Sequence, residues 1–238
     1  MKILVSPTTL EEVQTVVEVG TDIVDIKNVV EGSLGAHAPW VVQAILQRFQ
    51  GRAQFSATLG DLPYKPGTAA LAAYGAAHCD LNYIKAGLYG PRTYEEAREL
   101  MTAIVRGIRM ASKEIKVVAS GYADFRRFGG AHFLDIVKAA KEAAADVVMV
   151  DTAIKDGQGL FDAMTLDEIE EFVEAGHEAG LEVALAGSIR MDDIKALTSI
   201  DPDIVGIRGV LCEDSDRTQG ITKERMVKFF QTLETVMA

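Results

Sequence analysis

Positive charge is the scarcer sign in this chain: 24 Lys and Arg stand against 35 Asp and Glu, a formal charge of −11 over 238 residues. Nucleic-acid binders usually leave a basic footprint, so no nucleic-acid partner is expected. A few lysines in a cleft can still reverse the field locally and hold a small anion. Cysteine is scarce too. Cys79 and Cys212 make neither a disulfide framework nor a spaced metal site. His37, His78, His132 and His177 are scattered without ligand spacing, so no metal is expected. No run approaches the roughly 20 apolar residues of a membrane span. The opening MKILVSPTTLEEV turns acidic before the long apolar stretch of a secretory leader develops. A reduced, cytoplasmic setting is the expectation. Solenoid-length repeats and low-complexity tracts are missing as well, and no composition break or linker divides residues 1–238, so one domain is expected.

What is present is an alternation. Short β-branched runs at 3–6, 23–28, 54–59, 83–86, 116–120, 147–151, 183–186 and 204–207 are each followed by a longer helical pattern. The helices are predicted at 9–19, from Pro39 onward, and at 68–78, 93–111, 131–144, 166–179, 191–198 and 222–236. Thr8 or Thr9, the TYEEA start and Pro39 supply helix beginnings, while Gly20 and Gly180 supply ends. Eight such units imply a parallel sheet, and in this length they favour a closed α/β (β/α)8 (TIM) barrel. An open doubly wound sheet would usually carry a glycine fingerprint after its first strand, where SPTTLEEV stands instead.

Chemistry in such barrels sits where the strands end, at their carboxyl termini. Period-two alternation sorts each strand into two faces. Val24 and Ile26 suit the layer against the helices, which turns Asp25 and Lys27 into the barrel. By the same logic Tyr83 and Lys85 point inward, as do Met149 and Asp151. Three separate strands thus aim an ionisable group at one mouth. Lys155 follows in a loop flanked by Gly157 and Gly159, glycines that permit a tight or mobile loop able to swing the amine over a substrate. A lysine crowded by other cations in a dry mouth loses its proton more easily and can attack a carbonyl as an amine. These patterns alone do not choose between Lys27 and Lys85 for that task.

Phosphate handling is the other half. The loops after the seventh and eighth strands read AGSIR and IRGVLC. Loops in those two places often hold phosphate through backbone N–H groups, so Gly187, Ser188, Arg208, Gly209 and Val210 are candidates. EGSLGA, just after Lys27, offers Gly32, Ser33 and Gly35 as a cradle for a second phosphate. Arg126 and Arg127 fit a phosphate or a solvated surface equally well, and DEIEEF reads as a solvated helix face.

Over essentially its whole length the chain resembles the (5-formylfuran-3-yl)methyl phosphate synthase family. The likeness is carried by LVSP (4–7), DIKNVVEGSLGA (25–36) with PW (39–40), YIKAGLYG (83–90), MVDTAIKDGQGLFD (149–162), AGSI (186–189) and RGVLC (208–212). The resemblance implies a carbon–oxygen lyase of methanofuran-type cofactor biosynthesis that condenses two glyceraldehyde 3-phosphate molecules, with loss of phosphate and water. It matches Lys27 to the Schiff-base lysine and Lys85 to a proton-accepting lysine. Asp151 and Lys155 match further active-site positions. No cofactor is implied, the partners are phosphorylated trioses, and a homo-oligomer is expected. Rival readings are a phosphosugar aldolase or isomerase, and a barrel that only binds phosphate ligands. A decarboxylase of the orotidine-phosphate type shares the D-x-K element, but Val30 stands where its pattern needs a further aspartate.

Overall fold

The computed structural model describes residues 1–237. Eight parallel strands pair in chain order and β8 closes on β1. They are β1 (Lys2–Val5), β2 (Ile23–Ile26), β3 (Gln54–Asp61), β4 (Tyr83–Gly87), β5 (Lys116–Tyr122), β6 (Val147–Asp151), β7 (Glu182–Leu185) and β8 (Ile204–Ile207). The helices between and after them are α1 (Leu10–Val19), α2 (Pro39–Phe49), α3 (Pro66–Ala76), α4 (Tyr94–Ala111), α5 (Phe133–Glu142), α6 (Leu160–Ala163), α7 (Leu166–Glu178), α8 (Ile194–Ile200) and α9 (Lys223–Met237). None is long and apolar enough to cross a membrane among the described residues.

Local chemistry sets the helix ends. Thr9 and Thr93 accept the N–H groups of Glu12 and Glu96, and Thr165 forms a reciprocal capping box with Glu168. Pro39 opens α2, where its missing N–H leaves no bond unmade. Two segments depart from expectation. Residues 191–198 begin as a 3-10 turn, Met191–Asp193, before α8 takes over. The short α6 had no periodic signal; it starts where the Asp162 carboxylate folds back onto the N–H of Gly159 at 2.7 Å.

The strand faces separate as the alternation predicts. Ile23, Tyr83, Val118, Val147, Met149, Ala184 and Ile204 form an apolar plug inside the barrel. Val24, Ile26, Ile84, Val148 and Val150 join the much larger cluster between strands and helices. Parallel register then stacks the inward polar groups above the plug: Asp25 pairs with Ser56, Thr58 with Lys85, and Tyr122 with Asp151. At the amino end of the strands, Lys116 and Lys2 both reach Glu182, with Lys2 at 3.8 Å. The buried polar layer therefore faces only one mouth.

Candidate active site

A cavity of about 540 Å3 opens at the carboxyl ends of the strands, and Lys27, Lys85, Asp151 and Lys155 all line it. Four groups from three strand ends and one loop meet there, as the alternation requires. Asp25 lies beneath them, wholly buried. Its Oδ2 sits 2.6 Å from Lys85 Nζ and accepts a bond from Ser6 Oγ at 3.0 Å, while Oδ1 accepts from Ser56. Burial by itself would raise the Asp25 pKa, but Lys85 and Lys27 outweigh it and the net shift is downward.

Asp151 has the matching arrangement on the other side. Lys155 Nζ lies 2.6 Å from its Oδ1 and 2.8 Å from Thr152 Oγ1. Against the upward push of burial, Lys155 and then Lys27 bring the carboxyl down to about 2. Lys27 differs from both its neighbours: among the described residues its amine has no ion-pair partner. Burial is the largest cause of its depression from 10.5 to about 7, with Lys85 and Lys155 adding to it and Asp151 and Asp25 opposing. Three amines and two carboxylates sum to 3 − 2 = +1 when all are charged. Loss of one proton makes the buried cluster neutral, and Lys27 is the amine placed to lose it.

The loop carrying Lys155 is pinned rather than swinging. Buried Asp124 takes the N–H groups of Ala153 at 2.7 Å and Ile154 at 2.9 Å. Arg127 pairs with Asp156 at 2.6 Å, and Arg190 reaches the Gly157 carbonyl at 3.0 Å. Gly159 is required for close packing, since a Cβ there would stand 2.9 Å from the Ser188 carbonyl oxygen. Lys155 is thus already docked on Asp151, and of the two loop states that the glycines permit the tight one is present. Arg126 is engaged at the surface with Glu168.

The three phosphate-loop candidates divide. Gly187, Ser188, Gly209 and Val210 all line the cavity, and their N–H groups find no protein acceptor. Gly187 has φ +117, and a Cβ there would press on the Thr152 backbone at 3.0 Å. Gly32 and Ser33 lie outside the cavity lining. Ser33 Oγ donates to the Thr152 carbonyl at 2.7 Å, and a Cβ on Gly32 would collide with the Asp61 carboxylate at 2.1 Å. Their loop is packed across the barrel rim, apart from the cavity that the four active-site groups line.

Arg208 lines the cavity, yet it has no N–H left for a ligand. Its guanidinium donates to Glu12 Oε2 and Oε1 at 2.8 and 3.1 Å, and to the carbonyls of Ser6, Arg217 and Gln219. That fills all five N–H groups and corrects its assignment as a phosphate ligand. Sequence reasoning missed Asp124, Glu12, Arg217 and the Tyr122–Asp61 bond, in which Tyr122 donates to the carboxylate. Ser6, Ser56 and Tyr122 continue the inward alternation of their strands, and a charged Glu12 on the apolar stripe of α1 was also a signal. Arg217 sits in irregular chain and gave none. No group of three or more metal-ligating side chains occurs among the described residues.

Closed eight-stranded topology with amines and carboxylates gathered at one end defines a TIM-barrel enzyme. The chain belongs to the 4-HFC-P synthase family, whose model matches residues 3–230. It is 48% identical over 235 residues to a (5-formylfuran-3-yl)methyl phosphate synthase of Archaeoglobus fulgidus, covering 98% of this chain and 99% of the relative. A Methanopyrus kandleri protein of the same name is 47% identical over 227 residues, 95% of this chain and 96% of that one. Among solved structures, 3-hexulose-6-phosphate synthase from Salmonella typhimurium superposes with a TM-score of 0.70 at 15% identity, covering 99% of this chain and 100% of that one. Phosphoribosyl anthranilate isomerase from Thermus thermophilus superposes with a TM-score of 0.63 at 14% identity, with the same coverage. At that identity the likeness is one of fold.

Proposed function

We propose that the enzyme condenses two glyceraldehyde 3-phosphate molecules to (5-formylfuran-3-yl)methyl phosphate through an imine on Lys27. The observation carrying this reading is the unpaired Lys27 amine, brought to about 7 in the cavity while Lys85 and Lys155 are each tied to a carboxylate. Atoms balance without a redox step: two trioses give one furan aldehyde phosphate, one inorganic phosphate and two waters. One triose phosphate first becomes its ketone isomer by moving a proton between neighbouring carbons, with Lys85 or Asp151 as the base. Neutral Lys27 then attacks the ketone carbonyl, and water leaves to form an iminium.

The second triose phosphate loses inorganic phosphate by β-elimination. The terminal carbon of the resulting enol then attacks the iminium carbon, forming the bond that the branched product requires. Elimination frees the Lys27 amine, the remaining hydroxymethyl oxygen closes the ring on the neighbouring ketone, and loss of the second water gives the furan. Lys155, held on Asp151, protonates departing oxygens, and Lys85, held on Asp25, relays protons on the opposite side. The fixed amines also offset the repulsion between two phosphorylated substrates.

Borohydride reduction in the presence of glyceraldehyde 3-phosphate, followed by peptide mass mapping, tests the reading. A triose adduct is expected on the peptide holding Lys27, together with a product absorbing in the near ultraviolet. An adduct on Lys85 or Lys155 overturns the imine assignment. A product without that absorption marks an aldolase or isomerase instead.

A further inference from the structure

Three arginines line the cavity without a part in the chemistry above; Arg190 is paired with Asp162 and Arg208 with Glu12, which leaves Arg217. Arg217 lies in the segment between β8 and α9, among the residues lining the same space as Lys27 and Asp151. Its Nη2 is buried and has no hydrogen-bond partner, and among the described residues the guanidinium forms no ion pair. Burial is also the main cause that lowers its pKa. The residue as a whole is half-buried, but an enclosed guanidinium nitrogen without a partner is costly, and such groups in native proteins are normally paired.

Its position is built rather than incidental. Arg208 Nε holds the Arg217 carbonyl at 2.9 Å and Nη2 holds the Gln219 carbonyl at 3.1 Å. Glu12 Oε1 accepts the N–H of Ile221 at 3.1 Å, fastening the far end of the same segment. Gly209 and the Arg217 stem are direct neighbours: a Cβ built on Gly209 would lie 3.9 Å from that of Arg217, an ordinary contact. The unengaged N–H groups of Gly209 and Val210 therefore share a wall with an unengaged guanidinium.

We infer that Arg217 is a substrate-anchoring residue whose guanidinium binds the phosphoryl group of a triose phosphate. The inference rests on the proposed triose phosphate substrate. A guanidinium fork fits two phosphate oxygens at once, and the ligand supplies the counter-ion that the protein withholds. Arg208, the arginine that the chain's pattern suggested for this task, instead fixes the backbone from which Arg217 projects.

Glycerol 3-phosphate has the phosphoryl group but no carbonyl, so its binding reads the anchor without the chemistry. Calorimetric titration of the full chain is expected to show affinity falling about 10- to 100-fold in Arg217→Met, the range of a lost charge-assisted contact. Arg217→Lys keeps the charge without the fork and should fall between the two. Wild-type affinity in a folded Arg217→Met protein overturns the inference, as does a wild-type protein that binds no glycerol 3-phosphate. Should Arg217→Met not fold, a lysine variant indistinguishable from wild type overturns it equally. A wild-type chain that binds glycerol 3-phosphate but traps no triose on Lys27 would sink the condensation reading alone, leaving the titration to decide on Arg217.

Discussion

Lys85 Nζ lies 2.6 Å from Asp25 Oδ2, with both side chains shut away from solvent. Lys85 also presses the pKa of Lys27 down, whereas Asp25 supports the charged form of Lys27. Replacing Lys85 by Met removes the like charge and leaves Asp25 facing Lys27 alone. Both changes act in one direction, so the Lys27 amine should titrate above its present value of about 7. The rate of borohydride trapping against pH reads this amine directly. Its rising limb should move to higher pH in Lys85→Met, and a limb that stays or moves down would contradict the assigned electrostatics. An unpaired Asp25 should also cost the fold about 3 kcal/mol or more, measurable by denaturant titration.

Lys27 itself is a burden on the fold. Its pKa drops from 10.5 to about 7 on folding, so the native state binds fewer protons than the unfolded chain between those values. Stability contributed through this group therefore rises with pH across that window, and the penalty is fully present below about 7. Lys27→Met should abolish trapping while stabilising the protein by about 2–4 kcal/mol at neutral pH. The gain should shrink as pH approaches 10. Thermal unfolding across that range checks it, and a gain independent of pH would remove Lys27 as its source.

Asp124 acts from outside the cavity lining by holding the backbone ahead of Lys155. Asp124→Ala leaves two N–H groups without their acceptor, at a cost of about 1–3 kcal/mol. Lys27 keeps its surroundings, so triose trapping should persist. Turnover should fall on the order of 100-fold, because a displacement of about an ångström at a proton donor is enough for that. Hydrogen exchange at Ala153 and Ile154 should accelerate in parallel. Loss of trapping and turnover together would mean that Asp124 supports the whole mouth.

The barrel was legible because each strand repeats one pattern and each repeat stands alone. Alternation in IVDIK, YIK and VVMVD already orients Asp25, Lys27, Lys85 and Asp151, and closure then brings them together. Nothing local separates Lys27 from Lys85; their difference arises because Asp25 bonds one amine and not the other. Arg208 misled for a related reason. Its place after β8 suggests a ligand, yet a carboxylate 196 residues away on α1 occupies it. Whether the loop with Gly157 and Gly159 is tight or mobile is decided by Asp124, Arg127 and Arg190, none of them in that loop. Contacts between distant segments decide such points, and a pattern read along the chain does not contain them.

Glu12 joins the first helix to the last loop. Its carboxylate takes two bonds from Arg208, one from the N–H of Ile221 and one from the N–H of Thr8. Burial would raise its pKa, but Arg208 and those N–H groups hold it below the ordinary 4.5. Its stabilising effect is therefore complete above that value and is lost as pH falls through the lower native pKa. Glu12→Gln keeps the shape but strands the Arg208 charge, so a loss of about 3–5 kcal/mol is expected near neutrality. That loss should narrow on acidification, because the wild-type protein forfeits the same interaction there. Glu12 does not itself line the cavity, yet through Arg208 its substitution releases the segment from which Arg217 projects. Affinity for glycerol 3-phosphate should accordingly fall in Glu12→Gln even where the protein remains folded, and adding Arg217→Met should then cost little more. Fully additive losses in the double variant would show that the buried pair and the cavity arginine act independently.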